Sequence, residues 1–117
     1  MPFEIYTGYQ PLSQPFIFVD KFGRISLNRS LLHTLGITPG QPFHALLGYD
    51  PDNGNIGIAV PGEISGDGKL VVFDGKRYCA SVAGFVRKYN LKPGRYLRIP
   101  QTWNGWHQFR REDLLNP

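Results

Sequence analysis

The feature that most constrains this chain is that it states one pattern twice. Residues 16–46 and residues 70–99 superpose at an offset of 54 (74 − 20), which lays Asp20 on Asp74, Pro39 on Pro93 and Gly40 on Gly94. The apolar positions follow: Phe16/Leu70, Ile17/Val71, Phe18/Val72, Val19/Phe73, Leu31/Phe85, Leu32/Val86, Leu35/Tyr89 and Ile37/Leu91. An internal repeat restricts the fold more than composition does, because each copy must bury its apolar face against something of matching shape. Residues 62–68 between the copies are short and turn-forming, so the copies are expected to pack together. The chain therefore reads as one domain over residues 1–117, made of an arm (1–15), a first repeat (16–61) and a second (69–111).

Each copy reads as strand, basic turn, strand, short helix, Pro-Gly stop and strand. Phe16 to Val19 is a continuous apolar run, the signature of a strand buried on both faces. Asp20-Lys21-Phe22-Gly23 turns the chain, since Asp starts turns and Gly accepts positive φ. Ile25 and Leu27 then alternate onto one face. Asn28 or Ser30 can cap a helix carrying Leu31, Leu32 and Leu35 on one stripe, with Gly36 ending it. Phe43, Ala45 and Leu46 are expected to point inward from the next strand. Asp50 to Gly54 is a hairpin signal, and residues 56–60 are the returning strand. In the second copy Ser81 is the expected N-cap of a helix from Val82 to Tyr89, with Asn90 in the place of Gly36. Trp103-Asn104-Gly105-Trp106 is another Asn-Gly hairpin. Because Gly105 − Gly54 is 51 and not 54, the second hairpin loop is expected to be three residues shorter. In the arm, Pro2, Pro11 and Pro15 exclude a helix; Phe3 to Tyr6 can form an edge strand, with Tyr6 and Tyr9 covering the core. Residues 111–117 read as a frayed tail or half a turn of helix.

Charge is unevenly placed. The net charge of +4 divides into three basic and four acidic residues through Pro61, and ten basic and five acidic residues from Gly62 on. A basic half favours an anionic partner, of which nucleic acid is the commonest kind. The single cysteine, Cys79, can form no internal disulfide, which fits a reducing, cytoplasmic setting. No apolar run reaches membrane-spanning length and the N-terminus lacks signal-peptide order, so no membrane partner is expected. His33, His44, His107 and Cys79 have no metal-ligand spacing, and no nucleophile elbow, P-loop or dinucleotide fingerprint occurs. The reading is a non-enzyme with no catalytic residues, no metal and no cofactor. Cys79 falls on Ile25 of the other copy, so it is expected to be a small buried hydrophobe.

The stretch from Val19 to Gln41 resembles the swapped-hairpin domain of AbrB-type bacterial transcription factors, and its duplication is similar to the MraZ-like relatives with two such units in one chain. The residues that carry the resemblance are Asp20 with Arg24 four later, Gly23-Arg24-Ile25, the short leucine helix, and Leu35-Gly36-Ile37-Thr38-Pro39-Gly40. It covers roughly half the chain. Copy two departs from it, with Tyr78 where the arginine should fall and Arg77 one place early; Leu27-Asn28 also replaces the usual Leu-Pro. The resemblance implies a mainly β fold with short helices: a small closed barrel of two β-β-α-β units about a pseudo-twofold axis, with a double-psi-like barrel as the alternative. It also implies DNA contact by basic loops and strands, without a recognition helix.

Such an axis makes the turns bearing Lys21 and Arg24, and Lys76 and Arg77, a matched pair. Arginine can read guanine edges bidentately while lysine offers a point charge; the competing reading is that Arg24 pairs with Asp20 and only fixes its turn. Arg29 at the first helix, Arg87 and Lys88 on the second, and Arg98 on the following strand complete the candidate nucleic-acid contacts. Trp103 and Trp106 are candidates for base stacking, against a role in packing across their hairpin. The function expected is a DNA-binding transcriptional regulator or antitoxin-like repressor that prefers duplex to single strand. The alternatives are a protein-binding module and a single-strand binder using the Trp hairpin. Homo-oligomerisation stays open.

Overall fold

The computed structural model describes residues 14–64, 66 and 68–115; the arm strand at Phe3 to Tyr6, and the cover by Tyr6 and Tyr9, lie outside them. The elements run β1 (Phe16–Val19), β2 (Arg24–Leu27), α1 (Arg29–Thr34), β3 (Phe43–Tyr49), β4 (Ile56–Ala59), β5 (Val71–Phe73), β6 (Cys79–Ser81), α2 (Ala83–Lys88), β7 (Gly94–Trp103), β8 (Trp106–Arg111) and α3 (Glu112–Leu115). The strands form one antiparallel sheet in the order β5-β3-β4-β8-β7-β1-β2-β6, curled into a nearly closed barrel.

The two copies exchange strands. β1 pairs with β7 and β5 with β3, so the first strand of each copy lies against the third strand of the other. β2 pairs with β6 and β4 with β8, joining like with like. The result is a small, nearly closed β barrel in which the two copies are related by a pseudo-twofold axis. The symmetry axis can be located from the register. Gly57 faces Gln108 across β4 and β8, an offset of 51 (108 − 57), and Ile25 faces Ala80 across β2 and β6, an offset of 55 (80 − 25). In each wall a residue meets its own counterpart, so the axis passes through these two opposite walls.

Those offsets relocate the differences between the copies. The second hairpin loop, residues 104–105, is shorter than the first, residues 50–55, but the change of offset arises earlier: Ala45 and Tyr96, buried in equivalent rungs beside β5 and β1, already differ by 51. Copy one has a longer connection, Gln41-Pro42, between its Pro-Gly stop and β3, whereas β7 begins at Gly94. The turn of copy two is one residue longer, and the added residue is Tyr78, at φ 50°. The extra residue slips β6 by one place, which exchanges its faces. Ala80 therefore enters the core opposite Ile25, and Cys79 is half-buried opposite Ser26, which corrects its assignment as a buried hydrophobe. The slip also removes a ladder. β1 and β2 pair over three rungs, but no ladder joins β5 to β6 among the described residues, and the barrel seam runs there.

Every strand contributes to the core: Ile17 and Val19, Ile25 and Leu27, Ala45, Ile56 and Ile58, Phe73, Ala80, Tyr96 and Phe109 are buried, joined by Leu31 of α1. β1 alternates and is not buried on both faces: Ile17 and Val19 are buried while Phe18 stays 41% exposed. Asn28 caps α1 as expected, its Oδ1 accepting from the Leu31 amide at 3.0 Å. Ser81 does not cap α2; it is the last residue of β6, and Val82 holds the N-cap place with no side-chain bond. Asn90 (φ 50°) and Gly36 (φ 68°) end the two helices in the same left-handed conformation. No helix among the described residues is long and apolar enough to cross a membrane.

Candidate nucleic-acid interface

The turn after β1 is built by Asp20. Its Oδ1 accepts from the amides of Phe22 and Arg24 at 2.9 Å each, and its Oδ2 takes Arg24 Nε at 2.7 Å. The Arg24 amide first, and the guanidinium with it, hold the Asp20 carboxyl below its ordinary value. Gly23 follows at φ 80°, and a Cβ there would lie 2.7 Å from Ala83 Cα. Its carbonyl accepts from Val82 N at 2.8 Å, so this turn is clamped to the start of α2. Arg24 is thus an internal partner of Asp20, as the competing reading had it, though its side chain remains 48% exposed.

The second turn uses Asp74 similarly. Its Oδ1 accepts from Lys76 N at 2.9 Å and Arg77 N at 2.6 Å, and these amides lower its pKa, Arg77 leading. No arginine pairs with it among the described residues, and the extra turn residue Tyr78 follows. The Tyr78 ring is buried, and its hydroxyl donates to carbonyls of the α1–β3 connection, Gln41 O at 2.9 Å and Thr38 O at 3.2 Å. Tyr78 O accepts from Leu27 N at 3.0 Å, which brings this turn to the end of β2, two residues before Arg29.

The two turns accordingly stand at opposite ends of the β2–β6 wall, flanking the axis. From Gly23 to Leu27 is four residues, about 13 Å at the rise of a strand. Lys21 and Arg24 are at one end, and Arg29, Lys76 and Arg77 at the other. Arg87 and Lys88 lie one helical turn beyond the first group, about 6 Å along α2. Lys88 sits over the Tyr89 ring, which stacks on Tyr49 at 4.3 Å. Among the described residues the ion pairs are Arg24–Asp20, Arg95–Glu112 and Arg111–Asp113. Lys21, Arg29, Lys76, Arg77, Arg87 and Lys88 have no carboxylate within bonding distance in that set.

Arg98 does not join them. It lies on β7, separated from β2 by β1, and its Nη2 contacts His107 Nδ1 of β8 at 3.2 Å. Since guanidinium only donates, His107 must accept at Nδ1 and be neutral. Burial, and then the Arg98 charge, push the His107 pKa below 6.5 against a smaller opposing pull from Glu63.

The tryptophans also separate. Asn104 (φ 49°) and Gly105 (φ 87°) make the expected tight turn. The Trp106 indole lies across Gly48 and Gly57, which face each other in β3 and β4; a Cβ on either would come within 3.0 Å or less of the ring. Trp106 is packing. Trp103 is 64% exposed beside a groove of about 440 Å³ that also touches Tyr49, Asp50, Asn55, Trp106 and Gln108.

One exposed residue beside these cations was not among the sequence candidates. Phe22, at the tip of the first turn, is 65% exposed with Lys21 Nζ 5.2 Å and Arg24 Cζ 5.3 Å from its ring centre. Its signal was present, as a large apolar residue between a lysine and a turn glycine. No group of histidine, cysteine or acidic side chains suited to a metal occurs among the described residues. No family model, curated protein or solved structure matches this chain.

Proposed function

We propose that the protein binds duplex DNA across its β2–β6 wall, as a regulator or repressor of the type its repeats resemble. The observation that carries the reading is the pair of turns flanking the axis. In both, the aspartate is occupied by the turn's own backbone amides, and Lys21, Lys76 and Arg77 are left facing solvent with no acidic partner among the described residues. A separation of about 13 Å at their roots is on the scale of a groove of B-DNA, about 6 to 12 Å wide before the phosphates are counted. Backbone contacts from both turns would supply most of the affinity, with Arg29 adding to the second group and Arg87 to the first. The second group is the larger source of unpaired charge, so the grip is asymmetric.

Five phosphate contacts, from Lys21, Arg29, Lys76, Arg77 and Arg87, predict that log affinity falls with log salt at a slope of roughly 4 to 5. Titration of labelled duplex and of its separate strands, at low and moderate salt, measures this. Lys76→Ala/Arg77→Ala is expected to lower the slope by about 2 and to weaken binding more than Lys21→Ala. Failure of the protein to bind duplex at low salt overturns the reading. Binding confined to single strands, with Trp103 fluorescence quenched, transfers it to the hairpin.

A further inference from the structure

We infer that Phe22 is a wedge that enters a base step of the bound duplex and kinks it, an inference that rests on the DNA-binding reading. The Phe22 ring is 65% exposed at a turn tip and does not belong to the hydrophobic core. Nor is the tip a loose loop in which exposure is incidental. Asp20 bonds to the amides on both sides of Gly23, its own amide bonds to Arg24 O at 3.0 Å, and Gly23 is pressed onto Ala83. The ring is therefore presented at a fixed position before any partner arrives, which limits the entropy lost on insertion.

The neighbours of the ring suit the same role. Lys21 Nζ and Arg24 Cζ lie 5.2 and 5.3 Å from its centre, so two cations travel with the apolar tip. Apolar side chains that pry base steps apart do so from the minor groove, where phosphates border the point of entry and flanking cations can meet them. The counterpart of Phe22 in the second turn is Lys76 (76 − 22 = 54), so the molecule has one wedge and one cationic clamp. A single kink displaced from the pseudo-dyad follows. Pyrimidine–purine steps unstack most easily, so the first turn prefers TA or CA steps although it reads no base edge.

The test uses the full chain and two short duplexes, one with a central TA step carrying 2-aminopurine in place of adenine and one with a GC step at the same place. Wild type and Phe22→Leu are expected to raise the 2-aminopurine fluorescence on binding. Phe22→Ala is expected to leave it unchanged and to bind the TA duplex roughly tenfold more weakly, the size of a lost aromatic–base contact. Lys76→Ala/Arg77→Ala is expected to weaken both duplexes alike while keeping the fluorescence rise. Equal affinity and an equal rise for Phe22→Ala overturn the wedge and leave DNA binding intact. A wild type that binds without any rise also overturns the wedge, and a wild type that binds no duplex removes the reading beneath it.

Discussion

Tyr78 shows how far a single residue reaches in this fold. It is the extra residue of its turn, takes the left-handed conformation at φ 50°, and spends its hydroxyl on two carbonyls of the other copy. A turn that could have been a second Asp-Arg pair became a buried tether, and the cations beside it were freed from any internal partner. His107 makes a different single-residue bargain. It must stay neutral to accept from Arg98, and burial and that charge both lower its pKa below 6.5. With the folded value depressed, the unfolded chain binds the extra proton first, so stability is fully present above about pH 6.5 and is lost as pH falls through the folded value. Urea midpoints between about pH 7.5 and pH 5.5 should therefore drop for wild type and stay flatter for His107→Gln, which keeps an acceptor without a titrating proton. Identical slopes for the two proteins would refute the assignment.

At the scale of elements, the β5–β6 hairpin departs most from its repeat. The one-residue slip turns Cys79 away from the core and puts the smaller Ala80 opposite Ile25. A native-state thiol titration is the check. Cys79 is expected to react with an aromatic disulfide reagent without prior unfolding; protection until global unfolding would mean that the repeat offset of 54 holds through β6 after all. This element also marks the limit of what could be read from the chain. Strand, turn, helix and stop were legible in both copies because Asp-turns, Asn28, Gly36, Asn90 and the Asn-Gly hairpin are local signals with local causes. The slip was not legible, since residues 74–81 align without a gap and only the burial of Tyr78 forces the extra place. Ser81 misled for the same reason: a cap residue one position early in a slipped strand ends the strand. The turn cations could be picked out by type, but their grouping could not. Arg98 looked equivalent to the others until its side chain was found turned to His107 of β8, away from the β2–β6 turns.

The exchange of strands governs the molecule as a whole. In neither copy do β1 and β3, or β5 and β7, pair with each other; each finds its ladder in the other repeat, and both walls crossed by the axis are joints between copies. The buried residues come from all eight strands, so half a chain would expose the inner faces of β1, β2, β3 and β4 together. Full burial of a Leu, Ile or Phe side chain contributes about 1.5–3 kcal/mol, and a single copy retains too few of these contacts to offset the entropy of ordering its backbone. The repeats are therefore one cooperative unit. Cutting the chain within residues 62–68 should give two fragments that show no cooperative unfolding as monomers. Mixed in equal amounts, they should recover the strand signal, the Trp106 emission of the intact chain, in which the ring packs over Gly48 and Gly57, and one shared transition. A first fragment that folds alone as a monomer would break this account, because it would have to close β1 and β3 without partners. A first fragment that folds only as a dimer would support it: Ile25 would then meet Ile25 and Gly57 meet Gly57 across the same axis that now joins them to Ala80 and Gln108.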